Sequence, residues 1–218
     1  MSDPLNDRMM KDFSALWQRA TAHDAAQAEQ VYRSLADHYA EPGRHYHTLA
    51  HISHCLQQAA LAAEVLPTAD SIKLALWFHD VIWHPGARDN EARSAAYFRH
   101  TAAGAGMPSH LLNDIERLIL MTEYGQTPLR SDEVYIVDID YSSFGRPWEL
   151  FVADSVAVRA ERPGLSDELY ASQHSRFLEA LLARETLYRS DFFRARYEDT
   201  ARSNIRRYLQ TIGPVATT

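Results

Sequence analysis

Histidines are concentrated in one part of this sequence, at spacings that suit metal binding or proton transfer. Six of the eleven histidines fall within residues 45–84. In the segment YHTLAHISH, His47, His51 and His54 stand at positions i, i+4 and i+7, which lie on one stripe of an α-helix. Imidazole is the commonest protein metal ligand and the usual proton shuttle near neutral pH. The alternative is that these histidines are scattered over solvent-exposed helix faces.

The segment LALWFHDVIWH places His79 and Asp80 directly after a run of apolar residues. Because burying an unpaired charge is costly, this pair requires a partner, which would be another side chain, a water cluster or a metal ion. Three histidines on one helix project from the same side, so one or two of them would bind a metal and a second element would complete the site. The pair at 79–80 is the predicted second element.

A further acidic ligand is available in the segment YIVDIDYSSFG, where Asp138 and Asp140 interrupt an apolar run. The alternative for each carboxylate is helix capping or an ion pair with one of the arginines. A mixed set of histidines and carboxylates suits one or two divalent ions among Mn, Fe, Ni, Zn and Mg. A site of this kind leaves positions open for water or substrate, as catalytic metal sites do.

The elements that must position these residues are predicted to be helical. Segments containing Gly and Pro separate stretches in which apolar residues recur at helical spacing. Residues 134–137 (VYIV) could form a strand, but no second strand is evident to pair with them, so this stretch is predicted to be helical or irregular. We therefore expect one all-α domain over residues 1–218. The predicted helices cover residues 12–20, 24–40, 46–64, 70–80, 90–102, 109–122, 147–161, 166–183 and 191–210.

Composition narrows the function further. The chain has 22 Lys and Arg against 29 Asp and Glu, a net charge of −7, with no basic block. Duplex nucleic acid is therefore not an expected partner. The single Cys55 fits a reducing compartment. The sequence shows neither a signal peptide nor an apolar run of membrane-spanning length, so we expect a cytoplasmic protein without a membrane partner.

The order of these motifs resembles the HD superfamily of metal-dependent phosphohydrolases. The resemblance extends from about residue 35 to residue 210 and implies a helical HD-type fold. It also implies metal ligation by His51, His79, Asp80 and one of the two late aspartates, with Asp140 preferred, since the second Asp is the ligand in several HD groups with an Asp-x-Asp pair. The segments that carry the resemblance are RHYHTLAHI, LALWFHDVIW, DNEARSA, VDIDYSSFG and YEDTARSNIRRYL.

The segment YHTLAH is also similar to a histidine-containing segment of cyclic-nucleotide phosphodiesterases, another HD branch. In that branch the first histidine is the general acid and the second is a metal ligand, which implies that His47 protonates the leaving oxygen. Glu91 is predicted either to orient the attacking water or to interact with a helix dipole. Arg44 is predicted either to bind a phosphate through its planar guanidinium or to form a surface salt bridge. A second metal site, where present, would use Glu123. With Asp80, these make the predicted catalytic set His47, Asp80, Glu91 and Arg44.

The sequence thus predicts a metal-dependent phosphohydrolase, either a phosphomonoesterase or a phosphodiesterase, whose substrate is a small phosphorylated molecule such as a nucleotide. One alternative is a sensor module that binds a metal and a nucleotide with little or no hydrolysis. Another is a structural protein whose histidines are satisfied core groups. The motifs name neither the substrate nor the oligomeric state, for which a homodimer is one alternative.

Overall fold

Polar side chains mark the start of several helices in this protein. Asp24 accepts a hydrogen bond from the backbone N–H of Gln27, and the Gln27 side chain accepts one from the backbone N–H of Asp24. This capping box satisfies donors that a helix leaves unpaired in its first turn. The hydroxyl oxygens of Thr48 and Ser166 cap two further helices in the same way.

The computed structural model describes residues 4–212, which form ten α-helices and one short 3₁₀ helix without a β-strand. The predicted all-α fold is confirmed, and the ambiguous VYIV stretch is helical. None of the helices in this range has both the length and the apolar character needed to cross a membrane. The elements are α1 (Pro4–Ala20), α2 (Ala25–Tyr39), α3 (Leu49–Leu61), α4 (Ala69–Phe78), α5 (Asn90–Gly104), α6 (Ser109–Met121), α7 (Ser131–Asp140), the 3₁₀ helix (Tyr141–Gly145), α8 (Trp148–Ala160), α9 (Asp167–Leu182) and α10 (Asp191–Ile212).

The start of α3 differs from the prediction in a way that matters for the site. The helix begins at Leu49 rather than near residue 46. The backbone N–H groups of residues 45–47 instead converge on the carboxylate of Glu161, which holds this segment in a turn. His47 therefore does not lie on the helical stripe that was predicted for it.

The buried apolar side chains form one core that extends from Met9 on α1 to Tyr208 on α10. The ring of Phe13 stacks on Trp17 and meets Trp77 edge-on, with ring centroids 5.6 and 5.2 Å apart. Aromatic pairs in these arrangements add to the stabilisation from area burial alone. Trp77 and its neighbour Phe78 are the last residues of α4. The two residues that follow α4 are consequently fixed at the edge of the core.

Packing between helices brings the distant motifs together. Helices α3, α4 and α7 contact one another, and the 3₁₀ helix that follows α7 packs against α10. The side-chain amide of Asn204 on α10 donates to the backbone carbonyls of Phe144 and Arg146, at 2.9 and 2.8 Å. Helix α10 thereby supports the segment that follows Asp140.

The contact between the 3₁₀ helix and α10 can be tested at Gly145. A Cβ added there would lie 2.6 Å from Cβ of Tyr197 and 2.8 Å from its Cγ. The Cβ of Tyr197 is attached directly to the α10 backbone. Relief of this clash therefore requires a shift of the helix and not only of a flexible side chain. We expect Gly145→Ala to lower the free energy of unfolding by about 1–3 kcal/mol, measured by urea denaturation.

Gly104→Ala is the matched control for this substitution. Gly104 is the last residue of α5, and an added Cβ there has no neighbour within 4 Å. Alanine is the better helix former, so this variant should be unchanged or more stable by up to ~1 kcal/mol. Equal stability of Gly145→Ala and the wild type would show that the two helices are not closely packed at this point.

Candidate metal centre

Four titratable side chains meet at one buried point. His51 lies on α3, His79 and Asp80 follow α4, and Asp140 is the last residue of α7. The Nε2 atoms of the two histidines are 3.2 Å apart. Oδ2 of Asp80 lies 3.0 Å from Nε2 of His79 and 3.5 Å from Nε2 of His51. Oδ1 of Asp140 lies 3.3 Å from Nε2 of His51 and 3.5 Å from Nε2 of His79.

These separations fit donor atoms arranged around one divalent ion. Ligands at ~2.1 Å from a metal are about 3.0–3.4 Å from one another at octahedral and tetrahedral angles. The ligand atoms of His51, His79 and Asp140 all lie within 4.8 Å of one another. Oδ2 of Asp80 also lies close to the Nε2 atom of each of the two histidines. The cluster could therefore hold a metal ion, and nitrogen with oxygen ligands is compatible with several divalent metals.

The orientation of His79 is the one expected of a metal ligand. Its Nδ1 lies 2.9 Å from the backbone carbonyl of Leu76. Since a carbonyl can only accept, Nδ1 carries the proton, and the lone pair of the neutral ring is on Nε2, which faces the cluster. Metal-binding histidines are commonly oriented by such a bond from the other ring nitrogen. The ring of His51 rests against the buried thiol of Cys55, whose Sγ lies 3.8 Å from Nδ1 and 3.7 Å from Nε2.

The charges in the cluster stabilise one another. Burial alone would lower the pKa of His79, but Asp80 and Asp140 outweigh it and hold this pKa well above its ordinary value. Burial alone would raise the pKa of Asp140, but hydrogen bonds from His51 and His79 lower it to about 2. The pKa of Asp80 is also lowered, because the neighbouring histidines outweigh its burial. Both carboxylates are therefore ionised at neutral pH, which favours a cation.

The two late aspartates have different surroundings. Residues two apart on a helix point in directions roughly 200° apart, and only Asp140 faces the histidines. Asp138 is fully buried and accepts hydrogen bonds from the backbone N–H groups of Arg189 and Ser190, at 3.0 and 2.7 Å. The Ser190 hydroxyl donates to it as well, at 2.6 Å. Asp138 thus stabilises the start of α10.

His47 lies beside the cluster, in the turn before α3. Its Nδ1 is 2.5 Å from Oε2 of Glu161, and its ring stacks on Trp83 with the centroids 3.6 Å apart. The centroid of the His51 ring is 6.0 Å away. Because Nδ1 is bound to the carboxylate, Nε2 is the ring atom that remains to exchange a proton with a bound molecule. This geometry suits a proton donor placed next to the metal ligands.

Glu161 orients His47 and was not predicted from the sequence. Its Oε1 accepts the backbone N–H groups of His45, Tyr46 and His47, at 2.8, 2.7 and 2.9 Å. Burial alone would raise the pKa of Glu161, but hydrogen bonds from His47 and the backbone lower it to about 2. One sequence signal pointed to this residue. An acidic side chain at the C-terminal end of a helix opposes the helix dipole, so it requires another partner.

Arg44 is a structural residue, and the phosphate contact predicted for it was wrong. Its side chain is only 2% exposed. The guanidinium donates to the backbone carbonyls of His47, Asp80 and Val81, at 3.1, 2.7 and 2.8 Å. Carbonyls near the C-terminal end of a helix have no N–H donor within the helix. After the end of α4, Arg44 supplies the missing donors. The alternative of a surface salt bridge fits only in part, since the buried guanidinium reaches the half-exposed Glu41.

Glu91 lies in the first turn of α5. Burial and the negative charges of Asp80 and Glu123 raise its pKa. Its role in orienting a water stays a prediction.

His54, the last histidine of the segment YHTLAHISH, has a partner outside the cluster: its Nε2 contacts the Ser142 hydroxyl at 2.9 Å.

No protein-family model, curated protein or solved structure matches this chain. The similarity to the HD superfamily therefore stays a prediction drawn from sequence motifs, and the function must be inferred from the site itself.

Metal affinity is expected to fall as the pH is lowered. His79 must be neutral at Nε2 to bind an ion, and the nearby carboxylates raise its pKa. Protons therefore compete with the metal even at pH values above ~6.5, which is the ordinary histidine pKa. Calorimetric titration of Mn²⁺ or Zn²⁺ into the metal-free protein between about pH 8 and about pH 5 should show a rising Kd. A constant affinity over this range would exclude the histidines as ligands.

The two aspartates provide a matched pair of substitutions. Asp140→Asn should lose bound metal, because it replaces a charged ligand, while leaving the fold intact. Asp138→Asn should retain the metal but lower the free energy of unfolding by about 1–3 kcal/mol, since its NH2 group replaces one of the two oxygens that accept from Arg189 and Ser190 and can only donate. Elemental analysis and urea denaturation measure the two effects. Retention of metal by Asp140→Asn together with its loss from Asp138→Asn would reverse the assignment.

Proposed function

We propose that this protein is a metal-dependent phosphohydrolase that acts on a small phosphorylated molecule such as a nucleotide. The supporting observation is the placement of His47, a histidine oriented by a carboxylate, next to a buried cluster of two histidines and two aspartates. A purely structural metal site has no need of a proton donor at its margin. The combination is the one that general acid catalysis at a metal centre requires.

The ligand set supports a catalytic rather than a structural ion. Structural zinc sites are usually four-coordinate and rich in cysteine, whereas this set has no cysteine, and a six-coordinate ion held by four protein ligands keeps positions open. Held by His51, His79, Asp80 and Asp140, a divalent ion would lower the pKa of a bound water toward ~7 and polarise a phosphoryl oxygen. Within this arrangement, Glu91 is assigned to orient the attacking water, because it is an acidic side chain whose pKa is raised in part by the charge of Asp80.

His47 is assigned to protonate the leaving oxygen. Glu161 fixes its tautomer by binding Nδ1, and Trp83 limits rotation of the ring. A proton on Nε2 is then directed at one position beside the cluster rather than at solvent in general. A positioned general acid of this kind contributes typically ~10²–10⁴-fold to a rate.

The cavity next to His51 supports a small substrate. It has a volume of about 210 Å³, and His45, Thr48, His54 and Arg146 are among the residues that line it. Pockets for drug-sized ligands are about 300–1,000 Å³, so this cavity suits part of a small molecule. Its polar lining favours a leaving group that carries hydroxyl or amide groups.

Metal analysis of the purified protein, followed by a phosphate-release screen over a nucleotide panel with added Mn²⁺, tests the proposal. Bound metal with phosphate release supports it. Bound metal and nucleotide binding without release would favour the sensor module instead. A protein that binds no divalent metal would be the structural protein considered as the second alternative.

His47→Ala should separate proton donation from metal binding. We expect the variant to keep its metal, because His47 is not among the ligands, while hydrolysis of an alkyl phosphoester slows by roughly 10²–10⁴-fold. A nitrophenyl phosphoester should recover much of this loss, since its leaving group needs no proton. Rates are compared at equal metal content, measured by elemental analysis.

His84→Ala is the control for this experiment. His84 is exposed, and it bonds the Asn90 side chain only through its own backbone N–H and carbonyl groups. The control should keep both metal and activity. Loss of metal from His47→Ala, to the extent seen for His79→Ala, would make His47 a ligand and end its assignment as the proton donor.

A further inference from the structure

We propose that Arg184, assisted by Arg189, is the anion-binding group of this site and binds the phosphate of a substrate next to Asp140. The inference deepens the function proposed above and rests on it for the identity of the anion. It replaces Arg44, which is buried against backbone carbonyls.

Arg184 shares a small cleft with the metal-binding cluster. The cleft lies on the Asp140 side of the cluster, and Glu123, Tyr141, Arg184 and Arg189 also line it. Its enclosed volume is about 10 Å³, which is room for about one water molecule. A phosphoryl oxygen is of similar size, so one oxygen can enter the cleft while the rest of a phosphate lies at its mouth.

Aromatic rings, rather than carboxylates, surround the guanidinium of Arg184. Its Cζ lies 6.0 Å from the ring centroid of Tyr124 and 5.8 Å from that of Tyr141. Within residues 4–212, no acidic side chain forms an ion pair with it. Ring contacts stabilise the cation, and a guanidinium has five N–H donors. Most of these donors therefore stay available for a ligand even where the Tyr141 hydroxyl takes one.

Of the two other arginines close to the cluster, Arg146 is already neutralised and Arg189, within residues 4–212, is not. Arg146 lines the larger cavity, but it binds both carboxylate oxygens of Asp154, at 2.9 and 2.8 Å. Arg189 is exposed, and its backbone N–H is held by Asp138, which fixes the position of this residue in the cleft wall. Unpaired positive charge next to the cluster is thus concentrated in the segment between α9 and α10.

The positive charge of Arg184 and Arg189 outweighs the negative charge in the same cleft. Glu123 contributes one carboxylate, which also accepts a hydrogen bond from Gln126 at 2.8 Å. Asp140 belongs to the metal ligands, so an ion would compensate its charge. The planar fork of arginine matches two oxygens of a phosphate. The chemistry of the cleft therefore favours a phosphate group that bridges the metal centre and Arg184.

Binding of inorganic phosphate to the full-length protein tests the inference without relying on hydrolysis. Calorimetric titrations would use the Mn²⁺-loaded protein at low ionic strength, where screening is weak. We expect Arg184→Gln to weaken phosphate binding by roughly 10–100-fold, the loss typical of a charged bidentate contact. Metal content should be unchanged, because Arg184 is not a ligand.

Arg207→Gln is the matched control. Arg207 also stacks on an aromatic ring, with Cζ 3.9 Å from the centroid of Trp148, but it lines neither the cleft beside Asp140 nor the cavity beside His51. It removes the same net charge and should leave phosphate affinity unchanged. Arg184→Lys is the second variant, for the case that Arg184→Gln does not fold. It keeps the charge but loses the planar fork, so it should weaken binding by a smaller factor.

The outcomes separate this inference from the proposed function. Unchanged phosphate affinity in Arg184→Gln would overturn the inference, and so would an absence of phosphate binding to the metal-loaded wild type. Phosphate binding that requires Arg184 in a protein that hydrolyses no phosphoester would support the inference and contradict the proposed function. Hydrolysis by Arg184→Gln with an unchanged KM would support the proposed function and contradict the inference.

Discussion

Two imidazoles and two carboxylates share one buried point, and the rest of the structure serves to keep them there. An isolated charge in an apolar interior is strongly disfavoured, but here each carboxylate lies 3.0–3.5 Å from the Nε2 atoms of both histidines. Each group is therefore stabilised by the others and, in the proposed function, by an ion. The aromatic core beneath α4 supplies the rigidity, because Trp77 and Phe78 fix the helix end that His79 and Asp80 follow.

Two buried charged residues outside the cluster hold the segment 44–47 in place. Arg44 donates to the carbonyls that follow α4, and Glu161 accepts the N–H groups of residues 45–47. Both charges are satisfied by several backbone partners together with one side chain each, Glu41 for Arg44 and His47 for Glu161, which is the condition under which burial of a charge is tolerated. Together they set the position of His47 relative to Asp80. The backbone of this segment, rather than helix α3, thereby places His47 beside the cluster.

The sequence was informative where a side chain type demanded a partner. The His79–Asp80 pair and the carboxylate of Asp140 stood in apolar surroundings, so a shared site followed from the cost of burying them alone. Helical spacing likewise predicted the all-α fold. Arg44 and Glu161 could not be assigned in this way, since most of their partners are backbone groups, which leave no pattern in the sequence; the position of Glu161 at the end of a helix indicates only that it needs a partner. The start of α3 was misplaced for the same reason.

The sequence separations within the site have a consequence for how the chain folds. His51 and His79 are 28 residues apart, Arg44 and Asp80 are 36 apart, and His47 is 114 residues from Glu161. Closing longer loops costs more chain entropy, and contacts distant in sequence form slowly. Helices α3 and α4, which bring His51 next to His79 and Asp80, can therefore pack before α8 has docked. Until Glu161 arrives with α8, His47 has no partner for Nδ1, so the orientation of this ring is set late in folding.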